Sequence, residues 1–164
     1  MTGFSSPDPQ AEANRAYAAA IRLLGNRDHS SAELTRKLGQ RGFDEEVIDA
    51  TLGTLCDANH VDDRRYACTL AEQMAGKRHG PLAIRAKLRE RGIDGEAAEA
   101  ALAALDVDWV ERAASALRTR FDFGSISESD QKMRAKVARF LQGRGFSSSD
   151  SLKALQSVTR DAVD

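Results

Sequence analysis

Apolar positions along this chain fall at helical spacing, in short stripes broken by polar punctuation. Tyr17, Ala20, Ile21 and Leu24 form the first stripe, Leu34 and Leu38 the second, and Val47, Ile48, Leu52 and Leu55 the third. Recurrence at i, i+3 and i+4 predicts amphipathic helices with one inward face each. The first should run from about Glu12 to Leu24, and Gly25-Asn26 should end it. Ser30 should cap the next, with Glu33 completing a capping box. A further stripe of Tyr66, Leu70 and Met74 is followed by Ile84 and Leu88, then Ala98, Leu102 and Leu105. Trp109, Ala113, Ala116 and Leu117 come next, then Met133, Val137 and Leu141, and last Leu152, Leu155 and Val158. Runs of β-branched residues are absent, and aromatics are few.

The stripes repeat as a set. His29–Leu52 recurs fifty residues later as His79–Leu102, and a fainter third copy is anchored on Gly145. Each copy carries one punctuation of the form Leu-x-x-Arg-Gly-(Phe/Ile)-(Asp/Ser), at Gly42, Gly92 and Gly145. A glycine four residues after the last strong leucine belongs at a left-handed helix C-terminus, where a Cβ is penalised. The apolar residue after it (Phe43, Ile93 or Phe146) can pack back on that leucine, and Asp44, Asp94 or Ser147 can cap the next helix. One helix therefore stops and another starts within about three residues, as in a helix-turn-helix corner. If the third copy is the looser one, Gly145 should tolerate substitution better than the other two. The fold class is all-α, a tandem array of three three-helix repeats at 12–60, 61–105 and 106–164 behind a disordered arm at 1–11. Asp62 or Asp63 should cap the first helix of the second copy, and Pro81 suits the first position of its middle helix. Asp122–Asp130 is the longest predicted loop.

Composition adds little to that picture, and charge adds more. The formal net charge of the 164 residues is −1, so the chain as a whole is not a polycation. Its charges are instead sorted by element. Middle helices are basic: Arg36, Lys37 and Arg41; Arg85, Lys87, Arg89 and Arg91; Lys132, Arg134, Lys136, Arg139 and Arg144. The helices after the first two corners begin with acids: Asp44, Glu45, Glu46 and Asp49, then Asp94, Glu96 and Glu99. Helix dipoles account for acids at starts and bases at ends. They do not account for Arg85 and Lys87, or Lys132 and Arg134, in the first halves of their helices. The alternative is a basic ridge along the middle helices, a surface for a partner.

Catalytic chemistry is hard to assemble from these residues. No phosphate-binding glycine loop, dinucleotide fingerprint, metalloprotease helix or nucleophile elbow occurs. His29 and His79 occupy equivalent positions and are expected to hold helix starts. Asp62-Asp63 is better placed as a cap than as an acid–base pair. Cys56, His60, Cys68 and His79 match no paired-ligand spacing, so no metal is expected, and both cysteines are expected to be buried apolar residues. No cofactor is implied. Without a signal peptide or a long apolar run the chain is expected to be cytoplasmic, with no membrane contact.

Taken in order, His-Ser-x-x-Glu-Leu-x-x-Lys-Leu-x-x-Arg-Gly-Phe (29–43), Val-Asp-Asp-Arg-Arg-Tyr-Ala (61–67), Gly-Pro-x-x-Ile-x-x-x-Leu-x-x-Arg-Gly-Ile (80–93) and Arg-Phe-Leu-x-x-Arg-Gly-Phe (139–146) resemble the RecX family. The match runs from about Ala16 to Leu155, with mild departures such as Gly39 in a helix and Ser-Ser-Ser-Asp after the third corner. The resemblance implies three tandem three-helix units in an elongated, curved molecule. It further implies a non-enzymatic regulator of the RecA recombinase in DNA repair and the SOS response. Such a regulator binds in the groove of the RecA–DNA filament and limits its growth, ATP hydrolysis and strand exchange. On that reading the partner-binding residues are the cations of the ridge. The partners are the RecA filament and single- or double-stranded DNA, and the chain is a monomer. Direct nucleic-acid binding by helix-turn-helix-like units, or a scaffold for an unrelated partner, are the rival readings.

Overall fold

The computed structural model describes residues 8–123 and 131–161. Among them lie nine helices and no strand. They are α1 (Pro9–Asn26), α2 (Ser31–Gly39), α3 (Glu45–Asp57), α4 (Asp63–Gly76), α5 (Pro81–Glu90), α6 (Gly95–Ala104), α7 (Trp109–Arg120), α8 (Gln131–Gly143) and α9 (Ser148–Asp161). Chain contacts divide them into two compact units. One is Met1–Tyr66 with Arg91–Ile93, the other Ala67–Glu90 with Asp94–Asp164.

Local sequence explains most helix ends. Asp8 accepts a hydrogen bond from the Gln10 N–H and Pro9 occupies the first turn, so α1 starts earlier than the apolar stripe suggests. The expected arm at 1–11 is thus helical from Pro9 on; positions 1–7 of that arm lie outside the described residues. Ser30 and Glu33 form the expected reciprocal capping box. Asp62 receives the Arg65 N–H at 3.0 Å, Asp94 the Ala97 N–H at 2.7 Å, and Ser147 Oγ the Asp150 N–H at 3.0 Å. Asp44 stands at the start of α3 without a side-chain cap bond. Of the loop expected at Asp122–Asp130, residues 124–130 lie outside the described residues.

The first unit's core joins Ala20 and Leu23 of α1 with Leu34, Leu38, Ile48, Leu55 and Val61. In the second unit, Ala113, Leu117, Val137, Leu141, Phe146, Leu155 and Val158 form the main cluster. Phe121 meets Phe123 and Phe140 edge to face at centroid distances of 6.1 and 5.4 Å. Three stripes differ from expectation. Ile21 is exposed, because α1 turns Ala16, Ala20 and Leu23 inward. Along α4 it is Ala67, Ala71 and Ala75 that are buried, while Tyr66, Leu70 and Met74 are half-buried. Small side chains allow the helix to be approached closely, and a stripe of large residues does not reveal that. Leu152 is 47% exposed, and α9 buries Ser151, Ala154, Leu155 and Val158 instead. Both cysteines also depart from expectation: Cys56 is exposed and Cys68 half-buried, because each lies off the inward face of its helix.

The corner glycines have φ of 85°, 74° and 84° at Gly42, Gly92 and Gly145. At the first, the Phe43 N–H reaches Leu38 O (3.4 Å) and the Gly42 N–H reaches Gly39 O (2.9 Å). The third repeats this with Phe146 to Leu141 and Gly145 to Gln142. These are Schellman closures. Surroundings separate the three. A Cβ at Gly42 would meet open space, one at Gly92 would strike the Ala32 methyl, and one at Gly145 would strike the Ala83 backbone N–H. Alanine at Gly42 should therefore cost about 1 kcal/mol, from the left-handed conformation alone. Gly92→Ala should cost more, and Gly145→Ala most, because backbone yields less than a methyl. Thermal denaturation of the three variants should give that order; equal losses would contradict the close approaches at Gly92 and Gly145.

Candidate functional site

Two kinds of arrangement stand out: the seats that receive the second and third corners, and the cations of the middle helices. In the first unit the seat is the start of α2. Ser30 Oγ donates to the Arg91 carbonyl. The Arg91 guanidinium reaches Glu33 Oε1 at 2.6 Å, and Arg27 reaches the same oxygen at 2.7 Å. Tyr66 Oη donates to Glu33 Oε2 at 3.3 Å, and the Ser30 N–H does so at 3.2 Å. The Ser31 N–H completes the seat by donating to Asp63 at 2.8 Å. The Glu33 side chain is only 2% exposed. Burial would raise its pKa, but hydrogen bonds from Arg27, Arg91 and the Ser30 N–H outweigh burial and hold it at about 2. Burial and the neighbouring carboxylate raise Tyr66.

In the second unit the seat is the start of α5, and its bonds come from backbone. The Gly80 N–H donates to Arg144 O at 2.8 Å and the Leu82 N–H to Gly145 O at 3.0 Å. The Arg144 guanidinium donates to Lys77 O at 2.9 Å and lies over the Phe140 ring. Orphan amides of a helix N-terminus are thus satisfied by the carbonyls of a helix-ending corner.

His29 and His79 immediately precede these seats. His29 Nδ1 lies 2.9 Å from Arg27 O, and its Nε2 is buried without a partner. Burial lowers both histidines; at His79 the nearby Arg144 and Lys77 add to it. Among the described residues no group of three or more His, Cys, Asp or Glu is placed to hold a metal ion. None of the described helices is long and apolar enough to cross a membrane.

The ridge residues fall into two sets. Arg91 and Arg144 serve the seats. Arg85 makes a two-pronged pair with Glu99 at 2.5 and 2.9 Å, and Lys87 pairs with Glu90 at 2.9 Å. Lys136 sits over the Phe121 ring, and Arg41 donates to Lys37 O. Lys37 is half-buried, and Lys132 is exposed at the start of α8. By contrast Arg36, Arg89, Arg134 and Arg139 are exposed and take no side-chain partner among the described residues. What the sequence pattern missed is Glu33 as the carboxylate joining Arg27, Tyr66 and Arg91. It was legible only as half of a capping box.

Comparison with known proteins decides the lineage. Residues 16–55, 62–102 and 106–155 match, in order, the profiles described as RecX first, second and third three-helix domains. The chain belongs to the RecX family. Relatives named regulatory protein RecX include that of Xanthomonas citri, 42% identical over 127 residues, 77% of each chain. Another is that of Vibrio campbellii, 38% identical over 138 residues, 84% of this chain and 88% of the relative. The crystal structure of RecX from Lactobacillus salivarius superposes with a TM-score of 0.78 at 26% identity, covering 91% of this chain and 97% of that one. Membership of the RecX family accounts for three tandem three-helix domains.

Because the folded pKa of Glu33 lies below its ordinary 4.5, its contribution to stability is complete above that value and is lost as pH falls toward about 2. Glu33→Gln should therefore flatten the acid limb of the stability profile between pH 4.5 and 2. At pH 7 it should cost about 1.5–3 kcal/mol, because the hydrogen bonds from Arg27 and Arg91 lose their charged acceptor. Urea midpoints at a series of pH values check both; an unchanged acid limb would contradict the assignment.

Proposed function

We propose that this chain is a non-enzymatic regulator that binds the RecA–DNA filament in the cytoplasm and restrains recombination and ATP hydrolysis. It acts as a monomer without cofactor, and the three copies at 12–60, 61–105 and 106–164 each contribute contacts through their middle helices. The observation that supports this best is the set of exposed arginines without carboxylate partners, Arg36, Arg89, Arg134 and Arg139, repeated on α2, α5 and α8 of a RecX-family chain. A filament of protein on DNA presents phosphates and carboxylates, and both suit guanidinium groups. Arg41, Lys37, Lys132, Lys136, Arg85 and Lys87 lie on the same helices or at their ends and take secondary parts. Arg91 and Arg144 support the seats.

The test is DNA-dependent ATP hydrolysis by RecA, with and without sub-stoichiometric amounts of the chain. Suppression is expected. Arg36→Gln, Arg89→Gln and Arg139→Gln combined should preserve folding, since exposed substitutions usually shift stability by less than about 0.5 kcal/mol each. They should weaken filament binding and reduce its salt dependence. Arg85→Gln with Lys87→Gln should weaken it less, because those charges are already paired. Full inhibition by the triple variant would refute the ridge. Steep, salt-sensitive binding to DNA without RecA would favour direct nucleic-acid recognition instead.

A further inference from the structure

Counting seven residues either side of each corner glycine gives one position on the middle helix and one on the third helix of each copy. In the first copy the pair is Thr35 and Asp49, in the second Arg85 and Glu99, in the third Ala138 and Leu152. Arg85 and Glu99 close that line with a two-pronged ion pair. At the equivalent place between α8 and α9 the polar bridge is gone. A groove of about 360 Å³ opens there instead. Val137, Phe146 and Leu155 form its floor, Ala138 and Leu152 its flanks, and Arg134 and Gln142 its rim. Leu152 is 47% exposed, a large apolar side chain where the other copies carry an acid.

The one charged side chain lining the groove is a cation, Arg134. Arg139 on the same helix is exposed as well, whereas Lys136 turns to the Phe121 ring. On α9, Lys153 is exposed beside Leu152, while Asp150 is held by Ser147 Oγ at 2.7 Å. An apolar slot with an arginine at its rim and an exposed lysine beside it fits a protein segment that inserts one aliphatic or aromatic side chain and flanks it with a carboxylate. Duplex nucleic acid fits it poorly, because its bases are stacked inside and its phosphates and sugars offer nothing for Val137, Phe146 and Leu155.

We propose that the α8–α9 groove is a docking site for an acidic segment with an apolar anchor, presented by the RecA protein of the filament. This rests on the functional reading above and assigns the third copy a protein contact distinct from the arginine ridge. The groove distinguishes the third copy from the second, whose equivalent line is sealed by its own side chains.

Ala138→Arg with Leu152→Glu would rebuild the second copy's bridge in the third, closing the groove with no change in net charge. Leu152→Gln is a milder companion. Both sites are exposed, and circular dichroism with thermal melting checks the fold. Binding of the chain, dye-labelled at its N-terminus, to RecA assembled on oligo(dT) is read by fluorescence anisotropy over a range of salt. Both variants should bind at least about tenfold more weakly. The slope of log affinity against log salt should match the parent's, because no cation has been removed. Parent-like affinity in both variants would overturn the proposal. If the parent chain itself does not bind the filament, the functional reading fails, and with it the named partner. Should the parent sediment as a dimer and the rebuilt variant as a monomer, the occupant is a second copy of the chain, which also overturns it.

Discussion

The constraint on which this architecture depends is the close approach of an Arg-Gly corner to the first turn of a middle helix. A helix start leaves amide hydrogens unpaired, and a helix end leaves carbonyls unpaired. Seating one on the other satisfies both without water. In the second unit this is done by Gly80 and Leu82 donating to Arg144 and Gly145. In the first unit Ser30 bonds the Arg91 carbonyl, and Glu33 holds the arginine's own side chain. The approach is too close for a side chain at Gly92 or Gly145, and Gly80 lies against Gly145 for the same reason. Gly42 has the same backbone conformation but no neighbour.

Seating also sorts the charges. Arginines that look alike in sequence divide into those that hold the fold and those that face outward. Arg91 and Arg144 are spent on the seats, and Arg85 and Lys87 on neighbouring carboxylates. Arg36, Arg89, Arg134 and Arg139 are exposed and unpaired among the described residues, the set on which the proposed filament contact rests. A glutamate buried among two arginines and a tyrosine is costly to desolvate, and its value lies as much in fixing which residues meet as in net stability. An array whose apolar residues are mostly alanine and leucine has little shape of its own to fix such an arrangement. Polar seats supply that specificity.

Helix number, helix order, corner glycines and most caps were legible in the sequence, because each rests on interactions between near neighbours in the chain. Ser30 with Glu33 and Leu38 with Phe43 are separated by five residues at most. What was not legible involved partners far apart. Glu33 meets Arg91 across 58 residues, and nothing in the spacing of either announces the other. Nor did the stripe of large residues on α4 predict that Ala67, Ala71 and Ala75 would be the buried face. The left-handed Arg78 that closes α4, with the His79 N–H on Met74 O, also went unseen, since glycine is the usual signal for that conformation. Of the candidate site, the residues were readable but not their division into paired and unpaired cations. That division is set by Glu99, Glu90 and Glu33, which lie on other turns and other helices.

The central claim is that the corners are seated and not merely adjacent. Native-state hydrogen exchange of the Gly80 and Leu82 amides tests it most directly. Amides at the first turn of a helix ordinarily exchange quickly, because they lack an intrahelical acceptor. Bonded to Arg144 O and Gly145 O, these two should be protected to about the level of the buried α8–α9 amides of the same unit. Exchange at the rate of an exposed helix start would contradict the account.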